Sequence, residues 1–156
     1  MKNKVLFICL GNICRSPSAE AVFKDLVQKA GLQNEFEIDS AGIIGVHSGG
    51  RADARMRKHA SLRGYSLDSI SRKVDPNIDF DHFDYIIAMD DQNYRDLIDI
   101  SKTDEQIKKI SKMTDYSLNF NYTEVPDPYY GGEEGFELVL DLLEDACAGL
   151  LKRIIG

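Results

Sequence analysis

Cys9 and Arg15 stand six residues apart in the segment Cys9-Leu10-Gly11-Asn12-Ile13-Cys14-Arg15-Ser16. That pairing of a thiol with a guanidinium suits attack by sulfur on a phosphate. The segment follows Val5, Leu6, Phe7 and Ile8, a short β-rich run of the kind that forms a buried parallel strand. Ser16-Pro17 then reads as a helix start, with Ser16 as N-cap and Pro17 at the first helical position. Between strand and helix, Gly11 and Asn12 are the residues that best tolerate left-handed backbone. A tight loop of this kind turns successive N–H groups inward at a positive helix end and makes a concavity for an anion. Beside such a helix end a cysteine pKa falls to about 3.5–7.5, the setting a nucleophilic sulfur at Cys9 would need. Arg15 offers a planar fork matching two phosphate oxygens, which lysine cannot do. The Ser16 hydroxyl is near enough in sequence to donate a hydrogen bond to the sulfur. Taken singly, Cys9 reads as a buried strand-end cysteine and Arg15 as a surface cation. The strand, loop and helix context favours the anion site.

Sulfur attack on a phosphoester expels an alkoxide or phenoxide, so a proton donor must stand near the leaving oxygen. His47, His59 and His82 have the right chemistry but no motif around them. Val125-Pro126-Asp127-Pro128-Tyr129-Tyr130-Gly131-Gly132 holds one acid between two prolines and follows it with two aromatic rings. Asp127 is therefore the candidate acid, with a plain turn aspartate as the alternative.

The elements that must position these groups alternate between strand and helix, which predicts a parallel α/β sheet. Four strands with helices on both faces are expected, the anion loop following the first. After that loop, Ala19, Val22, Phe23, Leu26 and Ala30 form a helical stripe closed by Gly31. Phe36–Ala41 reads as a strand and residues 42–51 as a glycine-rich loop. Ala52, Met56 and Ala60 mark a helix stopped by Gly64. Tyr85–Met89 reads as a buried strand, and Asp90-Asp91 caps a helix carrying Tyr94, Leu97 and Ile98. A fourth strand falls within residues 107–113. Phe136, Leu140, Leu143, Cys147, Leu150 and Ile154 step by four and three along a last helix, which makes Cys147 a packing residue. Ligands of open α/β sheets bind at the carboxyl ends of strands, so the loops after Ala41 and Met89 should share an edge with Cys9.

The 156 residues fit one domain with a sizeable core. No run is long enough to span a membrane, and Val5–Leu10 is too short for a signal-peptide core. Three cysteines without an export signal point to a reducing, cytoplasmic setting. A net charge of −7 argues against nucleic-acid binding. The charge is uneven: Arg51, Arg55, Arg57, Lys58, Arg63, Arg72 and Lys73 face only Asp53 and Asp68 within residues 51–73. That stretch reads either as a draw for phosphorylated ligands or as a solvated helix face.

The segment from Cys9 to Pro17, with Asp127-Pro128-Tyr129-Tyr130-Gly131 downstream, resembles the low-molecular-weight protein tyrosine phosphatases. Asp39-Ser40-Ala41-Gly42, Phe83-Asp84-Tyr85-Ile86 and Met89-Asp90 resemble that family's internal landmarks. The resemblance covers essentially the whole chain, read as one phosphatase domain over residues 1–156. It implies hydrolysis of phosphotyrosine in proteins or peptides through a phosphocysteine on Cys9, with Arg15 gripping the equatorial oxygens. Asp127 would protonate the leaving phenol and then activate water. Leu10, Gly11, Asn12, Ile13 and Cys14 would wrap the phosphate, Asn12 holding the loop through Ser40. Ser16 would stabilise the thiolate, and Tyr129 and Tyr130 would flank the aromatic ring. No metal or other cofactor is implied, and Cys9 and Cys14 have no nearby partners to complete a tetrahedral site. A monomer or weak dimer with no membrane partner is expected.

Two positions depart from the family pattern. Val46 stands where many relatives carry a tryptophan wall, with His47 beside it as a substitute ring. Ser69 stands where many carry a histidine that buttresses Asn12 and Ser40. Three other functions share parts of this pattern. Arsenate reductases need further cysteines, which this chain lacks between Cys14 and Cys147. Protein arginine phosphatases typically have threonine where this chain has Ile13. A non-catalytic phosphate-binding or redox-sensing module would have no use for Asp127.

Overall fold

Val5 and Phe7 point to one apolar cluster while Leu6 and Ile8 point to another, so the first strand is buried on both faces. The computed structural model describes residues 2–156, the side chain of Tyr130 lying outside the described residues. Its elements run β1 (Asn3–Cys9), α1 (Arg15–Lys29), β2 (Phe36–Gly42), α2 (Ala54–Leu62), α3 (Asp79–His82), β3 (Tyr85–Ala88), α4 (Asp91–Ile100), α5 (Asp104–Lys108), β4 (Ile110–Lys112) and α6 (Glu133–Ile155). All strand pairs are parallel, in the order β2-β1-β3-β4. The chain therefore passes outward from β1 to β2, then crosses back past β1 to make β3 on its other side. A crevice opens at the carboxyl end of β1, where Cys9 sits.

On one face, α1, α2 and α6 cover Val5, Phe7 and Ile87. Phe23 of α1 meets Phe7 and Phe36 edge to face, at 5.7 and 5.6 Å between centroids. On the other, Phe80 of α3 and Leu97 of α4 cover Leu6, Ile8 and Ile86. The α6 stripe is as expected, with Phe136, Leu140, Leu143, Cys147 and Leu150 in the first cluster and Ile154 packed against it. Gly31 closes α1 with φ 73°, a left-handed value that a β-carbon would strain. Two cations of the basic stretch serve the fold. Arg63 reaches Glu137, Asp141 and Glu144 of α6 at 2.8–2.9 Å, and Arg72 bridges Asp39 and Asp79 at 3.0 and 2.9 Å.

Several boundaries differ from the sequence expectation. The first helix starts at Arg15, with Cys14 as N-cap and no side-chain cap, so Ser16 does not cap and Pro17 is third in the helix. The Ser16 hydroxyl is held by the sulfur and by Asn12, while Pro17 still falls in the first turn, where its missing N–H has no intrahelical partner to lose. Ala52 precedes α2 and is buried, because Asp53 accepts from Arg55 N and Met56 N and starts the helix there. Within residues 107–113 only Ile110–Lys112 is strand, Ile107 belonging to α5. Helices α3 and α5 and the three 3-10 turns are too short to show a period. No helix among the described residues is long and apolar enough to cross a membrane.

Candidate active site

Asn12 is the one non-glycine residue with positive φ among the described residues, at 58°. Its side chain holds that conformation through both ends. Oδ1 accepts from Arg72 N at 3.0 Å, which fixes the amide so that Nδ2 donates to Ser16 Oγ at 2.8 Å and to Ser40 Oγ at 3.0 Å. Ser71 Oγ donates to the Asn12 carbonyl at 2.6 Å. Ser40 spends its own hydrogen on Glu20 Oε1 at 2.6 Å. Ser16 already accepts from Asn12, so its hydrogen is available to Cys9 Sγ, 3.0 Å away. The more distant acceptor is the Ala41 carbonyl at 3.4 Å. The network thus runs in one direction, and it aims a hydroxyl donor at the sulfur.

Of the two loop residues that tolerate left-handed backbone, Gly11 and Asn12, only Asn12 adopts it. At Gly11 the constraint is one of space: a β-carbon there would stand 3.1 Å from the His47 ring, which would have to shift. The Asn12 and Ser16 side chains are fully buried behind the loop, not in the pocket wall, so their contribution to a ligand is indirect. Ser69 makes none of the buttressing bonds; Ser71 and the Arg72 backbone take that place.

Arg15 is 3% exposed. Its Nη1 donates to Asp90 Oδ2 at 2.6 Å and to the Val125 carbonyl at 3.1 Å, and Nη2 lies 3.7 Å from Asp127 Oδ2. Nε and Nη2 make no hydrogen bond among the described residues, which leaves one edge of the fork for a ligand. Burial opposes the charge on Arg15, but the Cys9 sulfur and the bonded Asp90 outweigh it and hold the guanidinium above its ordinary value. Asp127 caps the short 3-10 turn of residues 128–130 by accepting from Tyr129 N through Oδ1, at 3.0 Å. Its side chain is 34% exposed and its Oδ2 faces the cleft. Cys14 is a different kind of thiol. Burial, then Asp53, Cys9 and Asp127, push its pKa far up, with Arg55 opposing, so it stays protonated.

These groups enclose a cavity of about 210 Å³ lined by Cys9, Leu10, Gly11, Ile13, Cys14, Arg15, Ile44, Val46, His47, Asp127 and Tyr129. The floor is the sulfur and the guanidinium; the walls are apolar or aromatic. Val46 is 73% exposed and stands at the rim. Tyr130 lies in the 128–130 turn, its side chain outside the described residues. Sequence reasoning missed Ile44 as a wall, Glu20 and Ser71 as anchors, and Asp90 as the partner of Arg15. The sequence marks Asp90 as a helix cap and a family landmark, without its bond to Arg15. Among the described residues, no three His, Cys, Asp or Glu side chains are grouped to hold a metal ion.

A family model described as "Low molecular weight phosphotyrosine protein phosphatase" matches residues 4–155. A putative low molecular weight protein-tyrosine-phosphatase of Synechocystis sp. is 46% identical over 151 residues, 97% of this chain and 96% of that relative. The crystal structure of a protein tyrosine phosphatase from Entamoeba histolytica, with Hepes in its active site, superposes with TM-score 0.96 at 51% identity. The match covers 99% of this chain and 97% of that one. The crystal structure of a Drosophila arginine phosphatase superposes with TM-score 0.90 at 33% identity, covering 100% and 99%.

Proposed function

The chain belongs to the low molecular weight phosphotyrosine protein phosphatase family and is a phosphatase, and from that premise we propose that it hydrolyses phosphotyrosine monoesters through a phosphocysteine intermediate. The observation that carries this reading is the convergence of Cys9, Arg15 and Asp127 on one cavity. Cys9 Sγ attacks phosphorus in line with the phenolic oxygen while the free edge of Arg15 binds two equatorial oxygens. Asp127 Oδ2, at the open side, gives its proton to the departing phenolate. In the second step Asp127, now a carboxylate, takes a proton from water. The water oxygen attacks the phosphocysteine, and the thiolate leaves with the Ser16 hydroxyl donating to it. Asp90 and the Val125 carbonyl keep the Arg15 fork in register throughout. The substrates are phosphotyrosine proteins or peptides, and the steps need only the side chains named.

The test is p-nitrophenyl phosphate turnover by wild type and by Cys9→Ser. The serine variant should lose turnover while still binding phosphate or vanadate, because Arg15 and the loop are intact. Residual turnover above a few per cent would sink the nucleophile assignment.

A second reading, hydrolysis of phosphoarginine, is favoured by the likeness to the Drosophila arginine phosphatase. The same sulfur and guanidinium would serve cleavage of a phosphorus–nitrogen bond. Ile13 in the wall supports the aryl reading, since an apolar side chain adds contact to a ring and offers nothing to a guanidinium. Side-by-side kcat/KM values for phosphotyrosine and phosphoarginine, with Ile13→Thr as a third arm, decide between the two.

A further inference from the structure

Arg63 and Arg72 are spent on ion pairs within the fold and Arg55 leans on its neighbour Asp53, but Arg51, Arg57 and Lys58 are not paired among the described residues. Arg51, Arg55 and Lys58 are exposed and Arg57 is half-buried, all in or just before α2. Arg55 pairs with Asp53 at 3.3 Å, whereas Arg51, Arg57 and Lys58 form no ion pair among the described residues. Arg57 Nε donates only to the Ala52 carbonyl, at 3.0 Å. On a chain of net charge −7, this is a local reversal of sign.

The cations line two grooves. One, of about 340 Å³, brings together Arg51, Arg57 and Lys58 with the Ser61 and Ser66 hydroxyls against a single acid, Asp68. The other, of about 220 Å³, sets Arg55, Lys58 and His59 opposite Gly131, Gly132 and one acid, Glu133. Lys58 borders both. Arg55 Nη2 donates to the Tyr129 carbonyl at 3.1 Å, and its guanidinium lies 5.4 Å from the Tyr129 ring centroid. Tyr129 is also a wall of the catalytic cavity. A path of positive charge therefore leads from the cavity mouth past Tyr129 and out along α2.

We propose that this face of α2 docks an acidic segment flanking the phosphotyrosine of a substrate, its aspartate or glutamate side chains meeting Lys58, Arg51 and Arg57 in turn. The proposal rests on the phosphotyrosine phosphatase reading and adds to it a substrate class. A peptide whose ring enters the cavity emerges beside Tyr129, and Arg55 and Lys58 are the charged groups next in line. Exposed pairs are individually weak and are screened by salt. Their sum acts mainly on encounter and on discrimination against basic partners. The net charge of −7 sharpens that choice, because the molecule as a whole repels an acidic segment that does not meet this face.

The experiment compares kcat/KM for phosphotyrosine peptides with Asp/Glu, uncharged or Lys flanks, with p-nitrophenyl phosphate as the flankless reference. It uses wild type, Arg51→Glu/Lys58→Glu and Arg51→Gln/Lys58→Gln. Wild type should prefer acidic over basic flanks by about 10-fold at low ionic strength, the scale of two or three exposed pairs. The preference should shrink to about 2-fold at about 0.5 M salt. The glutamate double variant should invert the order and the glutamine double variant flatten it, both keeping p-nitrophenyl phosphate turnover. Indifference of wild type to flank charge would overturn the proposal, as would a preference that survives charge reversal. Indifference accompanied by binding of wild type, but not the glutamate variant, to anionic lipid vesicles would give the face to a membrane surface instead. Failure of wild type on p-nitrophenyl phosphate would strike the phosphatase reading, a separate outcome.

Discussion

Arg15 and Asp90 lie 75 residues apart in the chain and 2.6 Å apart in the fold. The carboxylate serves two elements at once. Its Oδ2 accepts from Arg15 Nη1, and its Oδ1 accepts from Asn93 N at 2.7 Å, starting α4. The end of β3 thereby aims a side chain that begins α1. The parallel pairing of Ile8 with Ala88 brings these two strand ends together.

Replacing Asp90 with asparagine separates the two tasks. Asparagine caps a helix as well as aspartate does, but its NH2 replaces the oxygen that accepts from Arg15, so the thermal midpoint should fall, though less than in an alanine variant. The charge-assisted bond to Arg15 is lost, and a guanidinium free to drift should cost about 10- to 100-fold in kcat/KM, the scale of a misplaced binding group. Asp90→Ala removes the cap as well and strands a buried cation, at about 3 kcal/mol. Added phosphate should restore part of that by binding the folded state. Calorimetric titration with phosphate and melts of both variants measure this. Asparagine binding phosphate as tightly as wild type would leave Asp90 as a cap alone.

Asp90 also shows what the sequence could and could not convey. Loop residues 9–16 and the Asp127 turn were legible because each is local: a strand, special backbone and a helix start fall within one short window. The α6 stripe was legible because 23 residues give a period many repeats. The partners of those groups were not, since Asp90, Glu20, Ser71 and the Val125 carbonyl reach them only through sheet order. Even Ser16 was misread in part. Its type and place before proline signal a cap, but tertiary contacts with Cys9 and Asn12 claim its hydroxyl.

Asp145 should govern part of the acid stability of the fold. Burial pushes its carboxyl up, but N–H groups of Asn119, Phe120 and Leu118 donate to it and hold it below the usual carboxylate range. The folded value is thus lower than the unfolded one, near 3.9. The stabilisation is complete above that pH and fades as pH falls through the depressed folded value. Asp145→Asn should lower stability at neutral pH by about 1–3 kcal/mol through weakened or orphaned donors. It should also make the acid limb shallower. Urea melts between pH 3 and 7, taken in steps of about half a unit, resolve this; parallel curves for wild type and variant would dismiss it.

Asp127→Ala should slow hydrolysis of aryl phosphates with poor leaving groups by about 10²- to 10⁴-fold, the scale of general acid catalysis. Oδ1 is occupied by the Tyr129 amide, so the proton must travel through Oδ2, the oxygen facing the cleft. Activated phenols leave without a proton and should suffer less. A series of aryl phosphates of rising leaving-group pKa reads out the slope, and a uniform loss across the series would make Asp127 a turn residue.

The direction of the Asn12 network predicts which step fails when it is cut. Nδ2 of Asn12 occupies Ser16 as an acceptor, which leaves the Ser16 hydrogen for the Cys9 sulfur. In the proposed mechanism that donor counts most when the thiolate is expelled from phosphocysteine, where charge would develop on sulfur. Ser16→Ala should therefore slow breakdown of the intermediate by about 10²-fold, as loss of one aimed donor does elsewhere. The rate would then become independent of the leaving group, and rapid mixing would reveal a burst of one phenol per enzyme. Asn12→Gly should give a milder form of the same burst, because glycine accepts φ 58° without strain while Ser16 is left free to turn toward the Ala41 carbonyl. Asn12→Ala adds about 1–2 kcal/mol of backbone strain to that effect, so the pair separates network from backbone. A Ser16→Ala enzyme with no burst and wild-type kcat would show that the hydroxyl merely fills space behind the sulfur.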